Sequence, residues 1–453
     1  MIKRNRLAVV AVMMSALASP AVQAETLSDA LTSAYNTSGL LDQNRALLRA
    51  ADEGVAQSVS ATLPVIRWAL EASRTGLTEP RGASNAALMR ITAGLTLYDG
   101  GANRLAIESQ KEVVLATRQT LRRIEQDVLL RAVQAYMNLL SDREFVELRQ
   151  NNVRLITQEF RAAQDRFEVG EVTRTDVALA EARLAAARSL LAAAQGELAI
   201  SAEEYRVAVG STPSAAGAVG PAPVSRSLND AKAFAVRNHP SILEAQHSVA
   251  AAELNIRRAE ASLRPSVSLN SFISTDKDSN EVGQIELNVG GPIYSGGLLS
   301  SQVRQSRSNR DSARAGLHLT TLSIEQQVAN AYALLQVARA SRQASEQQIS
   351  AASVAFQGVR EEATLGSRTT LDVLNAEQEL LDARANRIAA QSDEVVASYS
   401  LLSAMGLLTA DHLNLPVQQY DPSVYYNLIK NAPTASSEQG QALDRVLQAI
   451  GKD

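Results

Sequence analysis

The sequence contains no cysteine, which excludes a disulfide framework and a lipid anchor attached through cysteine. It has only four histidines, His239, His247, His318 and His412, and their spacing is not that of metal ligands. The glycine pairs of the second half, Gly290-Gly291 and Gly296-Gly297, lack the lysine of a phosphate-binding loop. Because nucleotide and redox motifs are missing as well, we expect no metal ion, no cofactor and no catalysis.

Long apolar runs are also missing after residue 24. No later run reaches the roughly 20 residues that a transmembrane helix requires, which argues against an inner-membrane transporter. The first 24 residues have the three parts of a secretory signal: basic Lys3, Arg4 and Arg6, an apolar run over 7–18, and the small-x-small site Val22-Gln23-Ala24. The apolar run is too short for a membrane anchor, so we predict a signal peptide over 1–24.

A basic surplus is lacking too. The formal net charge is -4, and removing the three basic residues of the signal makes it -7. This balance argues against nucleic acid or anionic lipid as a partner.

Most of the sequence consists of two similar copies. Leu27, Asp29 and Pro64 recur 201 positions later, and the later residues recur 196 positions later, namely Tyr98, Gly100, Gly101, Tyr136, Gly170, Asp176, Glu181 and Gly210. The length difference must lie between Pro64 and Tyr98, which predicts an exposed loop there. A period of this length is too long for a solenoid. We expect a first repeat over 25–210, a Pro/Gly/Ala/Ser-rich linker over 211–226, a second repeat over 227–406 and a partly disordered tail over 407–453.

Each copy begins with a helical segment, over 26–62 and 227–263, that ends before a proline. Residues then alternate between apolar and polar, as in Ile66, Trp68 and Leu70 or Ile285, Leu287 and Val289, which predicts one hairpin of roughly 10-residue strands per copy. Strands of this length cross a bilayer when tilted, but a soluble hairpin with one buried face would alternate equally. Four strands cannot close a barrel alone, so transmembrane strands would require an oligomer.

A proline-free run of helix-favouring residues follows each hairpin, to about Phe167 and Ala363. Such a helix would approach 100 Å at roughly 1.5 Å per residue. Its last part has heptad spacing, at Val153, Ile156, Phe160, Ala163 and Phe167 in the first copy and at Ile349, Ala352, Phe356, Val359 and Ala363 in the second. A second heptad helix follows Gly170 or Gly366, so each copy is predicted to contain a helical hairpin packed as a coiled coil. An ordinary antiparallel stalk would show the same pattern.

The turns of these two helical hairpins cover residues 169–177 and 365–373, and we call them the tips. Their glycines suit a left-handed helix C-cap. The spacing of Thr173 to Asp176, and of Thr369 to Asp372, is that of a capping box. Capping explains the threonines and aspartates but not Arg368.

Together these features resemble the TolC family of outer-membrane channels. The resemblance covers residues 25 to 428 and rests on the signal peptide, the duplicated strand-strand-helix order, the Tyr98-Asp99-Gly100-Gly101 and Tyr294-Ser295-Gly296-Gly297 passages, and above all the paired tips. The segment Tyr420-Asp421-Pro422 resembles the branch of the family that serves type I secretion.

The resemblance implies a mixed, mainly α fold. Long antiparallel coiled-coil helices would form an α-barrel across the periplasm in a homotrimer, and four strands per protomer would contribute to a 12-stranded transmembrane β-barrel in contact with outer-membrane lipid. The trimer would be the exit duct of a tripartite type I secretion or efflux system, joined to a periplasmic adaptor (membrane fusion) protein and an inner-membrane pump.

The resemblance also assigns roles to tip residues. Arg368 would meet Thr175 and Asp176 in a closed periplasmic gate, and Asp372 would form an acidic ring. Asn375 stands where the family often has a second acidic ring, and Ala363 replaces a bulky aromatic residue, so the closed gate is expected to be looser. The turns, with Gly170, Glu171, Gly366 and Ser367, would be the surface that docks the adaptor.

Two other functions fit parts of the sequence. An exported coiled-coil scaffold or adaptor with a small soluble sheet would be recovered in the soluble periplasmic fraction. A periplasmic enzyme with a long helical insert would need a convergent acid, base or nucleophile, whereas the carboxylates here lie on repetitive helix faces.

Overall fold

The computed structural model describes residues 25–75, 84–213 and 217–450. The predicted signal peptide therefore lies outside the described residues, as do parts of the first hairpin loop and of the predicted linker.

The same order of elements occurs twice. The first copy comprises α1 (Leu27–Thr37), α2 (Gly39–Ser60), β1 (Val65–Thr75), β2 (Ser84–Tyr98), α3 (Ala102–Glu168) and α4 (Arg174–Val209). The second comprises α5 (Leu228–Asn238), α6 (Pro240–Ala261), β3 (Ser266–Asp276), β4 (Glu281–Gly290), α7 (Leu298–Thr364) and α8 (Thr370–Ala404). The tail adds α9 (Pro422–Ile429) and α10 (Glu438–Ile450). In the part of the chain that the structure describes, the fold is mainly helical with four strands, as predicted.

Each opening segment is divided into two helices, where the sequence indicated one. Ser38 is extended, with ψ 105°, and ends α1. In the second copy Pro240 begins α6 behind an extended His239. Proline lacks a backbone N–H and fits the first position of a helix better than its interior, which explains the second break.

All four strands form one antiparallel sheet in the order β1-β2-β3-β4. Its centre is the pairing of β2 with β3, which joins the two copies, for example Ile91 to Ile273 and Leu95 to Leu269. Trp68 lies opposite Ile91, and Leu269 lies opposite Leu287. The apolar side chains of both hairpins therefore line the same face.

This apolar face is uncovered in the protomer. Trp68 is 74% exposed and Ile285 is 78% exposed. The opposite face carries polar side chains, including Arg90, whose guanidinium lies 4.9 Å from the centre of the Phe272 ring. A soluble sheet normally buries its apolar face, and this sheet does the reverse.

The two longest helices, α3 and α7, have 67 residues each. The predicted heptad positions Ile156, Ala163, Phe356 and Ala363 are buried. Ile156 packs with Leu184 and Ala187 of α4. Phe167 is an exception, 45% exposed, because α3 ends one residue later. Within the described ranges, no helix combines the length and the apolar character needed to cross a membrane.

The chain forms two compact units, and α3 and α7 contribute residues to both. Among the described residues, one unit comprises those within 25–39, 125–231 and 327–418 and contains the tips; the other comprises those within 40–124, 232–326 and 419–450 and contains the sheet. In the second unit, Leu48 and Val55 of α2 pack with Val114 of α3, and Tyr420 and Tyr426 pack against them.

Candidate functional site at the helical tips

Both tips turn through a glycine in the left-handed region, Gly170 with φ 81° and Gly366 with φ 79°. The amide of Gly170 donates to the carbonyl of Phe167 and that of Glu171 to Arg166; in the second tip Gly366 donates to Ala363 and Ser367 to Glu362. These paired bonds form a Schellman motif, in which a side chain on the left-handed residue would be strained. The predicted C-caps are therefore confirmed.

The following helices begin with complete capping boxes. Thr173 caps α4 with Asp176, and Thr369 caps α8 with Asp372. In each box the threonine hydroxyl and backbone amide donate to one carboxylate oxygen, at 2.7 and 2.9 Å in the first tip and 2.8 and 2.9 Å in the second. Both predicted capping boxes are confirmed.

These bonds also set the charge of the tips. The bonds from Thr173 hold the pKa of Asp176 below its ordinary value. The backbone and side-chain bonds from Thr369, and more weakly the charge of Arg368, do the same for the pKa of Asp372. Both carboxyl groups are therefore ionised at neutral pH.

Arg368 contacts the helix that precedes its own turn. Its Nε donates to Oε2 of Glu362 at 2.7 Å, and both side chains are about half exposed. The bond with Glu362 raises the pKa of Arg368 above its ordinary value. Its predicted partners Thr175 and Asp176 lie in the other tip, where Thr175 is exposed.

Asn375 joins the two helical hairpins. Its Oδ1 accepts a bond from Arg183 of α4 at 3.3 Å. Deeper in the bundle, Leu374 packs with Ala163 of α3 and Ala180 of α4. The two hairpins are thus in contact close to the tips.

A buried polar pair, Asn152 and Glu377, was missed by the sequence reasoning. Nδ2 of Asn152 donates to Oε1 of Glu377 at 2.8 Å. The sequence does contain an indication of this pair, because Glu377 interrupts an apolar helix face. That face is formed by Val373, Leu374, Leu380 and Leu381, all of them buried. Its counterpart Glu181 is exposed, so the duplication alone did not single it out.

A shallow groove lies beside the tips. This groove, of about 350 Å³ between α3 and α7, is lined mainly by polar residues, among them Gln158, Glu159, Arg166 and Arg360. Among the described residues, no group of three or more histidine, aspartate or glutamate side chains could hold a metal ion. The tips therefore present mainly exposed polar and charged side chains.

Comparison with known proteins agrees with this arrangement. The model of the family "Outer membrane efflux protein" matches residues 30–211 and 234–407, which are nearly the two copies. The chain is 37% identical over 426 residues to the outer membrane efflux protein BepC of Brucella suis biovar 1, covering 92% of each chain. It is 24% identical over 419 residues to the outer membrane protein TolC of Escherichia coli, covering 86% of this chain and 84% of the relative.

Solved structures show the same fold. The crystal structure of the Campylobacter jejuni CmeC outer membrane channel matches with a TM-score of 0.76 at 16% identity, covering 90% of each chain. Together with the family model and the similarity to BepC and TolC, this fold confirms the resemblance to the TolC family found in the sequence.

Proposed function

Because the chain belongs to the family of outer membrane efflux proteins, we propose that three copies of it form the exit duct of a tripartite type I secretion or efflux system. The family consists of outer-membrane channel proteins, not enzymes. The observation that carries the proposal is the match of the family model to both copies.

The sheet supports a trimeric barrel. Its apolar face is uncovered, and β1 and β4 are its free edges. Unpaired strand edges are not tolerated in lipid. Three such sheets joined edge to edge would make 12 strands with the apolar face toward lipid. A soluble scaffold would instead cover this face, so the exposure counts against that alternative.

We also propose that the tips form the gate. Three copies of Asp372 around one axis would make an acidic ring that attracts cations, and Asn375 in place of a second acid would weaken its field. Arg368 would bond to Thr175 and Asp176 in the closed trimer, in exchange for its bond to Glu362.

The turns would dock the adaptor. Gly170, Glu171, Gly366 and Ser367 are exposed, and their backbones are fixed by the Schellman bonds. An adaptor that binds the open tips better than the closed ones would open the gate. Energy would come from the inner-membrane pump, since the sequence has no nucleotide motif.

Crosslinking tests the docking surface. The chain has no cysteine, so Glu171→Cys and Ser367→Cys each provide a unique attachment point in cells. We expect both to capture a periplasmic adaptor. The matched control is Gln195→Cys, also exposed but roughly 30 Å farther along α4. Equal capture at all three positions, or capture at Gln195→Cys alone, would contradict docking at the tips.

A further inference from the structure

The bond between Asn152 and Glu377 joins α3 of the first copy to α8 of the second. Both residues are buried, with exposures of 6% and 4%, and their bond length is 2.8 Å. In the proposed function the two helical hairpins move apart when the tips open, and a bond between them in the core would resist that movement. Asn152 and Glu377 are thus positioned to act on the gate without lining it.

The environment of Glu377 is unfavourable for a charge. Val373 and Leu380 on its own helix pack with Phe356 and Ala363 of α7. The second carboxyl oxygen, Oε2, is buried and has no hydrogen-bond partner in the protein. An ionised carboxylate needs several donors when it is removed from water, and here it has one.

Charged groups from three neighbouring helices act on Glu377. Glu159 of α3 repels its charge, while Arg183 of α4 and Arg360 of α7 attract it. Both arginines already have partners. Arg360 lies 3.7 Å from Glu159, and Arg183 bonds to Asn375. Neither donates a bond to Glu377, so their attraction only partly offsets burial.

We propose that Glu377 is a proton-sensitive latch between the two helical hairpins, which holds α3 against α8 when protonated and weakens that contact when ionised. The proposal rests on the proposed function, in which separation of the tips opens the duct. It adds control by pH, through a residue outside the acidic ring and the docking turns.

The direction of the effect follows from proton linkage. Burial is the main cause that raises the pKa of Glu377 from 4.5 to about 7. The packed state therefore binds the proton more tightly than a state in which Glu377 reaches water. Protonation stabilises the packed state at acidic pH, and this stabilisation is lost as the pH rises from 4.5 through about 7.

Amide hydrogen exchange of purified full-length trimers measures the latch without requiring ion flow. Protection factors, corrected for intrinsic exchange, are compared over 161–182 and 358–380 between pH 5 and pH 8. We expect protection in the wild type to fall by up to roughly tenfold per pH unit, the limit for one proton. Glu377→Gln keeps the shape and the acceptor but cannot ionise, so its profile should be flat.

Two further variants separate titration of Glu377 from loss of a contact. Glu181→Gln changes the exposed counterpart in the first copy and should keep the wild-type profile. Glu159→Gln removes a negative charge that raises the pKa of Glu377, so the midpoint should move to lower pH. A purely structural contact would lose protection without moving the midpoint. The Glu159→Gln result decides the question if Glu377→Gln does not assemble.

Conductance in planar bilayers, recorded over the same pH range, distinguishes the two proposals. A wild-type exchange profile in Glu377→Gln, or an unmoved midpoint in Glu159→Gln, overturns the latch. If Glu377→Gln conducts with the same pH profile as the wild type, the latch is also overturned, but the proposal that the trimer is a duct is retained. If the exchange profiles are as expected but no variant and no wild-type trimer conducts, the proposed duct is overturned and the latch is retained.

Discussion

Arg368 distinguishes the second tip from the first, where the corresponding residue is Val172. Its partner in the protomer is Glu362, at 2.7 Å, and both side chains are exposed enough for this pair to exchange readily. Exposed ion pairs contribute about 0–1 kcal/mol of stability. Arg368 would therefore lose little free energy by changing its partner when the chains assemble.

Replacing Arg368 by alanine should raise the closed-state conductance of the duct, because the proposed bonds to Thr175 and Asp176 are lost. Single-channel recording in planar bilayers measures this. The matched control is Arg174→Ala, an exposed arginine of the other tip, which should leave the current near the wild-type value. An unchanged current in Arg368→Ala would remove this residue from the gate.

Asp372→Asn should reduce the preference for cations, measured as the reversal potential in a salt gradient. Because bonds from Thr369 lower the pKa of Asp372, the wild-type ring should stay charged, and selective, at neutral pH and lose selectivity only at pH values below the ordinary pKa of an aspartate. The control Asp230→Asn removes a similar capping aspartate, bonded to Ser227 at the start of α5. Equal effects of both variants would show that the cap, and not a ring, is responsible.

The caps could be predicted from spacing alone, since a capping box is a local pattern of four residues. The partners of Arg368, Asn375 and Glu377 could not. They depend on which helices pack together, and residues such as Asn152 and Glu377 are far apart in sequence. Glu377 was detectable as a charge on an apolar face, but its single donor and buried second oxygen required the structure.

Among the elements, α4 shows how position decides the role of a glycine. Gly210 ends α4 with φ 81°, and a Cβ there would collide with the Thr37 side chain. Gly196 lies inside the same helix with nothing within 4 Å of an added Cβ. We therefore expect a change from glycine to alanine to have opposite effects on stability at the two positions.

Gly210→Ala should destabilise the protein by about 1 kcal/mol or more, because it adds strain at a left-handed residue to a clash. Gly196→Ala should stabilise it by up to about 1 kcal/mol through helix propensity. Thermal unfolding followed by circular dichroism at 222 nm compares the two. A higher midpoint for Gly210→Ala than for Gly196→Ala would be inconsistent with the described cap.

The long helices and the four strands could be predicted because their periodicities are strong and extend over many residues. The break at Ser38 was missed, since neither proline nor a heptad change marks it. The pairing of β2 with β3 was not predicted either. Strand order depends on contacts between hairpins about 200 residues apart, and the alternation in each strand fixes only which side chains share a face.

For the whole molecule, duplication gives each chain two strand hairpins and two helical hairpins, and the sheet unites the copies through Ile91 and Ile273. The two copies contribute the same kinds of element. They differ at the tips, where Arg368 replaces Val172 and Glu377 is buried while Glu181 is exposed. If the tips form the proposed gate, the two copies would therefore contribute different residues to it.

If three chains close one barrel, β1 of each chain pairs with β4 of the next chain. Neighbouring paired strands lie about 5 Å apart, whereas β1 and β4 of the same sheet are separated by roughly 14 Å. Since the chain has no cysteine, Ile66→Cys can be combined in turn with Ile285→Cys, Leu287→Cys and Val289→Cys. Oxidation or a reagent shorter than about 10 Å then links only strands that are paired.

This crosslinking, performed on outer membranes and read on a denaturing gel, is the most direct test. We expect covalent dimers and trimers for at least one of the three pairs, and monomers for every single-cysteine variant. Monomers in all three pairs, from a chain recovered in the soluble periplasmic fraction, would contradict the barrel.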